Sequence, residues 1–261
     1  MKKALYQFLI ELTNKRWSSI LLKKFVQSRL SQKCIPSYMK VYEIDSNEIE
    51  HEISYYPSLH EFFTRRLREG VREIQGGEKQ FVSPVDGTLA EAGTVTPNLM
   101  MQVKGKDYSI QEMLGNEEIA KKYVGGSFLV LYLSPANYHR IHSPIKAAVE
   151  KRWELGLHSY PVNEYGLKYG RETLSKNYRS ITELKHKGGD MLLVKVGAMF
   201  VNSIHYTNDH HHWNKGDEIG YFTFGSTVIL FFEKGTFHFN DDLSVPTPIK
   251  MGKIIGQMKR G

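Results

Sequence analysis

GYFTFGSTVILFFEKG, residues 220 to 235, is the stretch from which the fold is read. Val228 to Phe232 is an unbroken apolar run of β-branched, aliphatic and aromatic residues. It is short and bounded by Gly225-Ser226 before it and Lys234-Gly235 after it, which marks a strand of a β core. Working outward, the chain after Gly76-Gly77 consists of similar short runs separated by Gly, Pro, Asn and Asp. Candidate strands lie near 81–95, 99–104, 127–133, 145–155, 191–206 and 219–233. Two short helices interrupt them. One is opened by a capping box of Ser109 and Glu112 and ends near Gly115, and the other covers Glu117 to Tyr123. There is no internal repeat and no alternation of strands with long helices, so a doubly wound α/β fold is excluded.

The N-terminal part has a different period. Leu5, Phe8, Leu9 and Leu12, then Trp17, Ile20, Leu21 and Phe25, recur at helical spacing and define one or two amphipathic helices. A second helical region is expected over about 46–69, with a capping box of Ser58 and Glu61 and a stop at Gly70. The expected fold is α+β: a mainly antiparallel β core, sandwich or barrel-like, preceded by amphipathic helices. The expected division is a helical region over 1–75 and a β-rich catalytic domain over 76–261.

Composition bounds the function. A chain of 261 residues with 41% hydrophobic and 24% charged residues forms one substantial core. Cys34 is the single cysteine, which leaves no internal disulfide and no cysteine metal cluster. The net charge is +7, and it resides in residues 1–33, where Lys2, Lys3, Lys15, Arg16, Lys23, Lys24, Arg29 and Lys33 face only Glu11. The remainder is balanced, so the core offers no basic face for nucleic acid. Gln7 and Glu11 break the apolar run of MKKALYQFLIEL, and no small-residue cleavage site follows, so the segment is expected to be retained. No stretch reaches the roughly 20 apolar residues of a spanning helix. A basic helix with Trp and Phe on its apolar face suits a membrane interface, although packing on the chain's own core would give the same pattern.

Three segments carry chemistry. In Gly225-Ser226 the glycine carbonyl is sterically open and the serine hydroxyl lies beside it, but most Gly-Ser pairs are turns. A serine nucleophile needs a base. SPANYHRIHSP (134–144) is expected to start a short helical turn at Ser134-Pro135, with His139 and His142 on one face. SPVDG (83–87) supplies Asp86 within an ordinary turn signature. No serine sits in G-x-S-x-G, so this is not an α/β-hydrolase. The consecutive His210, His211 and His212 diverge and are expected to bind no metal; Arg65 and Arg66 could pair with a phosphate but are read as the polar face of a helix.

In this order, FFTR (62–65), SPVDG, YHRIHSP, VGAMFVNSI (196–204) and FGST (224–227) resemble the phosphatidylserine decarboxylase family over about 58–235. Phe224 stands where the family usually has Leu, which keeps an apolar side chain. The resemblance implies a proenzyme that cuts itself between Gly225 and Ser226 into a β chain (1–225) and an α chain (226–261) that stay associated. Ser226 would become a pyruvoyl group, the cofactor for decarboxylating phosphatidylserine. By position, Asp86 matches the family's triad aspartate, His142 the base and Ser226 the nucleophile. His139 matches a residue of the decarboxylation step, read here as a general acid near neutral pH. The expected setting is peripheral, on the cytoplasmic side of an anionic membrane, and compatible with a homo-oligomer. A pyruvoyl enzyme acting on a soluble amino acid, and a non-catalytic lipid-binding module, are the rival readings.

Overall fold

A computed structural model describes residues 16–158, 160, 162, 173–198, 204–223 and 225–259, with side chains from residue 20. The helices are α1 (Arg16–Gln27), α2 (Ile35–Tyr42), α3 (Leu59–Phe63), α4 (Ile110–Leu114), α5 (Glu117–Lys122) and α6 (Thr173–Lys176). The first half of the strands comprises β1 (Gln80–Val82), β2 (Gly87–Thr94), β3 (Met100–Val103), β4 (Lys106–Ser109), β5 (Ser127–Leu133), β6 (Arg140–His142), β7 (Ala147–Leu155) and β8 (Arg179–His186). The second half comprises β9 (Gly189–Gly197), β10 (Ile204–Tyr206), β11 (His212–Trp213), β12 (Glu218–Phe222), β13 (Ser226–Phe232), β14 (Phe237–Phe239), β15 (Thr247–Ile249) and β16 (Ile254–Met258).

The core is an eight-stranded antiparallel sheet in the order β11-β7-β8-β9-β13-β5-β2-β15. It stays open, with β11 and β15 at its edges, so the layered alternative is realised and the barrel is not. The run Val228 to Phe232 occupies its centre and is buried on both faces. Ile229 and Phe231 join one apolar cluster with Met101, Tyr108 and Met113 from the β3–β4 hairpin and α4. Val228, Leu230 and Phe232 join the other, with Phe81, Phe222, Phe237 and Ile255 from two small sheets, β1-β16-β14 and β10-β12-β6. A strand covered on both sides has no polar face to present, which is why its sequence does not alternate.

The helical region departs from expectation. Over 46–69 there are only single 3-10 turns, Ser46–Glu48 and Ile53–Tyr55, and the five-residue α3. Pro57 keeps the chain extended before Ser58, whose hydroxyl caps α3 by accepting from the Glu61 N–H at 3.2 Å. The Thr64 hydroxyl donates back to the His60 and Glu61 carbonyls and ends the helix there, well before Gly70. The helix near Ser109 and the one after Asn116 form as expected, with Gly115 in the left-handed conformation at the end of the first.

α1 packs through Leu22 and Val26 onto a third cluster built from α2, Tyr56 and α3. Ile20 and Leu21, 50% and 59% exposed, point away from it, as does Phe25. Residues 1–15 and the side chain of Trp17 lie outside the described residues, so the stripe from Leu5 to Trp17 is not placed. No described helix is long and apolar enough to cross a membrane.

Phe231→Ala leaves a cavity between β13 and α5 and is expected to lower stability by about 3–5 kcal/mol. Leu21→Ser, on the exposed face of α1, is expected to change it by less than about 0.5 kcal/mol. Chemical denaturation of the two variants beside the parent chain measures both.

Candidate active site

The register of the central sheet gathers the chemical motifs at one end. Ser226, the first residue of β13, pairs with Leu133 at the end of β5 and with Gly197 at the end of β9. β2 starts at Gly87, immediately after Asp86, and its Thr88 pairs with Tyr132. Gly87 is required for this approach, because a Cβ there would lie 2.4 Å from the Tyr132 carbonyl oxygen. Asp86, the SPANYHRIHSP turn that follows Leu133, Ser226 and Ala198 therefore share one edge of four neighbouring strands.

Ser226 is fully buried, and its hydroxyl has no hydrogen-bond partner among the described residues. The carbonyl before it is engaged: the Ala198 N–H donates to the Gly225 oxygen at 3.0 Å. This donor polarises the carbonyl toward attack and would follow it as negative charge develops. Of VGAMFVNSI, residues 199–203 lie outside the described residues, as does Phe224.

The histidine turn is built differently from the sequence expectation. Asn137 Oδ1 accepts from both the Ser134 N–H and its hydroxyl, at 2.7 and 2.8 Å, which closes a single turn. The chain then runs into β6, paired with β12, so His139 and His142 are not on a helix face. Phe222 N–H donates to the His139 carbonyl at 2.9 Å, tying this turn to the segment that leads into Ser226.

His142 is almost buried and held at both nitrogens. Nδ1–H donates to the Gly216 carbonyl at 2.8 Å. Gly216 presents that carbonyl from a left-handed φ of 89°. Nε2 lies 3.1 Å from the Tyr138 hydroxyl. Burial pushes the Tyr138 pKa up, so the phenol keeps its proton and donates it to Nε2. Burial also pulls the His142 pKa below its usual value, with the Gly216 bond opposing. The imidazole is thus neutral with its lone pair on Nε2, the tautomer a base needs.

The carboxylate of Asp86, the residue matched to the triad aspartate, turns away to other partners. Arg72 donates to it from Nε at 3.0 and 3.1 Å and from Nη2 at 2.6 Å, and the Met251 N–H donates at 2.8 Å. Arg72 Nη2 also reaches Glu48 at 2.7 Å. Asp86 and His142 are joined through the backbone, by the His142 N–H to the Pro84 carbonyl at 2.8 Å. The three residues matched to a triad share one end of the sheet without a continuous hydrogen-bonded chain between their side chains.

His139 is fully buried under the ring of Phe63, with ring centroids 3.9 Å apart. Its Nδ1–H donates to the Asn137 carbonyl at 2.8 Å, and Nε2 has no partner among the described residues. Burial pushes its pKa down to about 3. Burial thus favours the neutral imidazole of His139 at neutral pH, and in that form it must accept a proton before it can give one.

Sequence reasoning also misplaced Arg65. It is buried, and its Nη2 donates to the Ala136 carbonyl at 3.0 Å, bracing the histidine turn. Its presence in FFTR was the available signal. Arg72, Tyr138 and Gly216 carried no signal of their own. Among the described residues no three His, Cys, Asp or Glu side chains are grouped to hold a metal ion, and His210 to His212 are exposed.

Arg72 and Asp86 are both nearly buried, so removing one partner strands the other charge. Arg72→Met is expected to lower stability by about 3–5 kcal/mol, and adding Asp86→Asn to recover part of that loss, by chemical denaturation. Equal stability of Arg72→Met and the parent would contradict the clamp.

Comparison with known proteins identifies the family. The family model for phosphatidylserine decarboxylase matches residues 59–257. The chain is 52% identical to the phosphatidylserine decarboxylase proenzyme of Anoxybacillus flavithermus over 256 residues, covering 98% of this chain and 97% of that protein. It is 51% identical to the proteins of the same name from Bacillus mycoides and Bacillus cereus, over 255 residues with the same coverage. With its motif-bearing strand ends inside the matched region and its length aligned almost throughout, this chain belongs to the phosphatidylserine decarboxylase family.

Proposed function

We propose that this chain cuts itself between Gly225 and Ser226 and then decarboxylates phosphatidylserine to phosphatidylethanolamine and carbon dioxide. The observation that carries the reading is the Gly225-Ser226 peptide itself, with its carbonyl held by the Ala198 N–H and its serine hydroxyl buried and unspent. A buried hydroxyl without a partner is costly to keep in a merely structural turn.

His142 Nε2 takes the Ser226 hydroxyl proton once it leaves the Tyr138 hydroxyl, and the serine oxygen attacks the Gly225 carbonyl carbon. The nitrogen of Ser226 departs from that carbon with the proton, leaving an ester. Loss of the Ser226 α-proton expels the Gly225 carboxylate, and water then replaces the nitrogen as ammonia to leave a pyruvoyl group at the start of the α chain. Asp86 contributes by charge, favouring the imidazolium that His142 becomes, while Arg72 and Met251 hold its position. The pyruvoyl group supplies an electron sink for the charge left when carbon dioxide departs. His139, with a bare Nε2 in a water-poor site, accepts a proton from the substrate and returns it to the carbon that lost its carboxylate.

We assign residues 1–75 to membrane association and 76–261 to catalysis, with the two product chains held together by the β5–β13–β9 pairing. The substrate lies in a bilayer, and the exposed Ile20, Leu21 and Phe25 beside Lys23 and Lys24 fit an anionic surface. The cytoplasmic side is the proposed face. A pyruvoyl enzyme for a soluble amino acid would have no use for this surface.

Ser226→Ala is expected to remain a single chain of 30.1 kDa without activity, judged by gel and intact mass. His142→Ala is expected to stay mostly uncut, and His139→Ala to be cut yet turn over poorly; identical defects would contradict the separate roles. Because the folded His142 pKa is depressed and the base works as the neutral form, the rate of self-cleavage is expected to stay level as pH falls through 6.5, the ordinary histidine value. It should decline only below that, which stopped-time gels across pH would record.

A chain lacking residues 1–33 is expected to cut itself normally but to lose most binding to phosphatidylserine vesicles. The lost basic residues are worth at most about 1 kcal/mol each near an anionic surface, less in high salt. Co-sedimentation at low and high salt measures this, and equal binding by both chains would place the membrane contact elsewhere.

A further inference from the structure

Arg65 carries a buried charge that no described carboxylate pairs with directly. Its side chain follows α3 and is only 4% exposed. Nη1 donates to the Phe62 carbonyl at 3.3 Å, and Nη2 to the Ala136 and Asn137 carbonyls at 3.0 and 3.4 Å, while Nε has no acceptor. Among the described residues no carboxylate lies within ion-pair distance of it. The two arginines beside it are committed: Arg140 pairs with Glu218 at 2.6 Å and Arg66 with the same carboxylate at 3.9 Å. Neutral carbonyls satisfy hydrogen bonds but not the charge, and a buried cation without a counter-ion is strongly unfavourable. Burial accordingly pulls its pKa below the usual guanidinium value.

Arg65 lines a cavity of about 620 Å³ in which it, Arg66 and Arg140 outnumber the carboxylates Glu50 and Glu61, with Tyr55 and Tyr56 also in the walls. That is the size of a site for a small polar group. The Asn137 carbonyl that accepts from Arg65 also accepts from His139 Nδ1, so the cation and the proposed proton carrier meet on one oxygen. Tyr55 of this lining belongs to the 3-10 turn Ile53–Tyr55, whose Ser54 carbonyl accepts from Gln32 Nε2 at 3.4 Å. Leu30, 70% exposed, lies two residues from Gln32 in the same 3-10 segment. The cavity thus reaches the histidine turn through Arg65, which donates to the Ala136 and Asn137 carbonyls.

We propose that Arg65 is the anion-binding residue of the substrate site and pairs with the phosphodiester of the phosphatidylserine headgroup, leaving the serine end directed toward His139. This rests on the reading of the chain as a self-cutting phosphatidylserine decarboxylase. Chemistry selects the phosphodiester over the serine carboxylate. The carboxylate loses its charge as carbon dioxide leaves, so a cation paired to it would stabilise the ground state and slow the reaction. The phosphodiester keeps its charge throughout, so pairing there strengthens substrate and transition state alike.

That difference sets the test. Compared as their self-cut forms, Arg65→Lys and Arg65→Met are expected to raise KM for phosphatidylserine in mixed micelles by about tenfold to a hundredfold, the range for a lost hydrogen bond to a charged group. The effect on kcat should stay within about threefold, as for lost uniform binding. A kcat loss with unchanged KM would make Arg65 only a brace for the histidine turn and overturn the proposal. A second measurement does not depend on the variants folding. In the full-length chain labelled with 15N-arginine, the Arg65 Nε–H resonance, assigned through its own backbone, is followed on adding glycerophosphoserine, glycerophosphoethanolamine, free serine or inorganic phosphate. Shifts with both glycerol phosphodiesters, and little with the other two, are expected. A shift with free serine alone would assign Arg65 to the carboxylate, an equal shift with inorganic phosphate would make this a free-phosphate site, and no shift at all would remove the anion site; each overturns the proposal. Failure of the parent chain to cut itself or to release carbon dioxide would instead strike the underlying reading, which this titration does not need.

Discussion

The antiparallel pairing of β13 with β5 on one side and β9 on the other is the constraint on which the rest depends. It sets Ser226 opposite Leu133 and Gly197 at the rim of the sheet. From that register follow the Ala198 N–H on the Gly225 carbonyl, the placement of the histidine turn after β5, and the arrival of Asp86 just before β2. The pairing is held by apolar packing on both faces of β13, so the peptide to be cut belongs to the most buried strand in the molecule. A cut at the first residue of such a strand leaves its hydrogen-bonded ladder intact, which is how two product chains would stay together without a new interface.

Burial also decides the protonation states on which the chemistry draws. Both histidines of YHRIHSP are neutral because charging them would require desolvating an imidazolium, and each spends its N–H on a backbone carbonyl. The carboxylate that might have charged His142 is committed to Arg72. The uncut site is therefore rich in lone pairs and poor in mobile protons, a setting suited to taking the Ser226 proton. Beside it lies Arg65, a buried cation with no carboxylate at ion-pair distance among the described residues.

Much of the fold was legible because its signals are local. The apolar run of β13 and the caps of α4 and α5 identified themselves through residue type and spacing. β8 did not, because Arg179, Ser180, Thr182 and Glu183 make it read as polar although it lies in the middle of the large sheet, with Arg179 bonded to the Met113 and Glu112 carbonyls. The helix expected over 46–69 failed for the opposite reason: its apolar residues have helical spacing, but Pro57 and the back-bonding Thr64 divide the chain into turns. In the site, the residue types of the motifs were readable, whereas their partners were not. Arg72 lies 14 residues before Asp86, and Gly216 lies 74 residues after His142, separations that leave no mark on a single sequence.

The central claim is that Ser226 becomes the reactive group of the enzyme, and intact mass spectrometry of the purified full-length chain tests it most directly. The account predicts two species: residues 1–225 ending in a free carboxylate, and residues 226–261 lighter by one ammonia than a peptide beginning with serine, with a ketone that borohydride reduces. A single uncut chain, or a second fragment with an intact N-terminal serine, in a preparation that decarboxylates phosphatidylserine would contradict it.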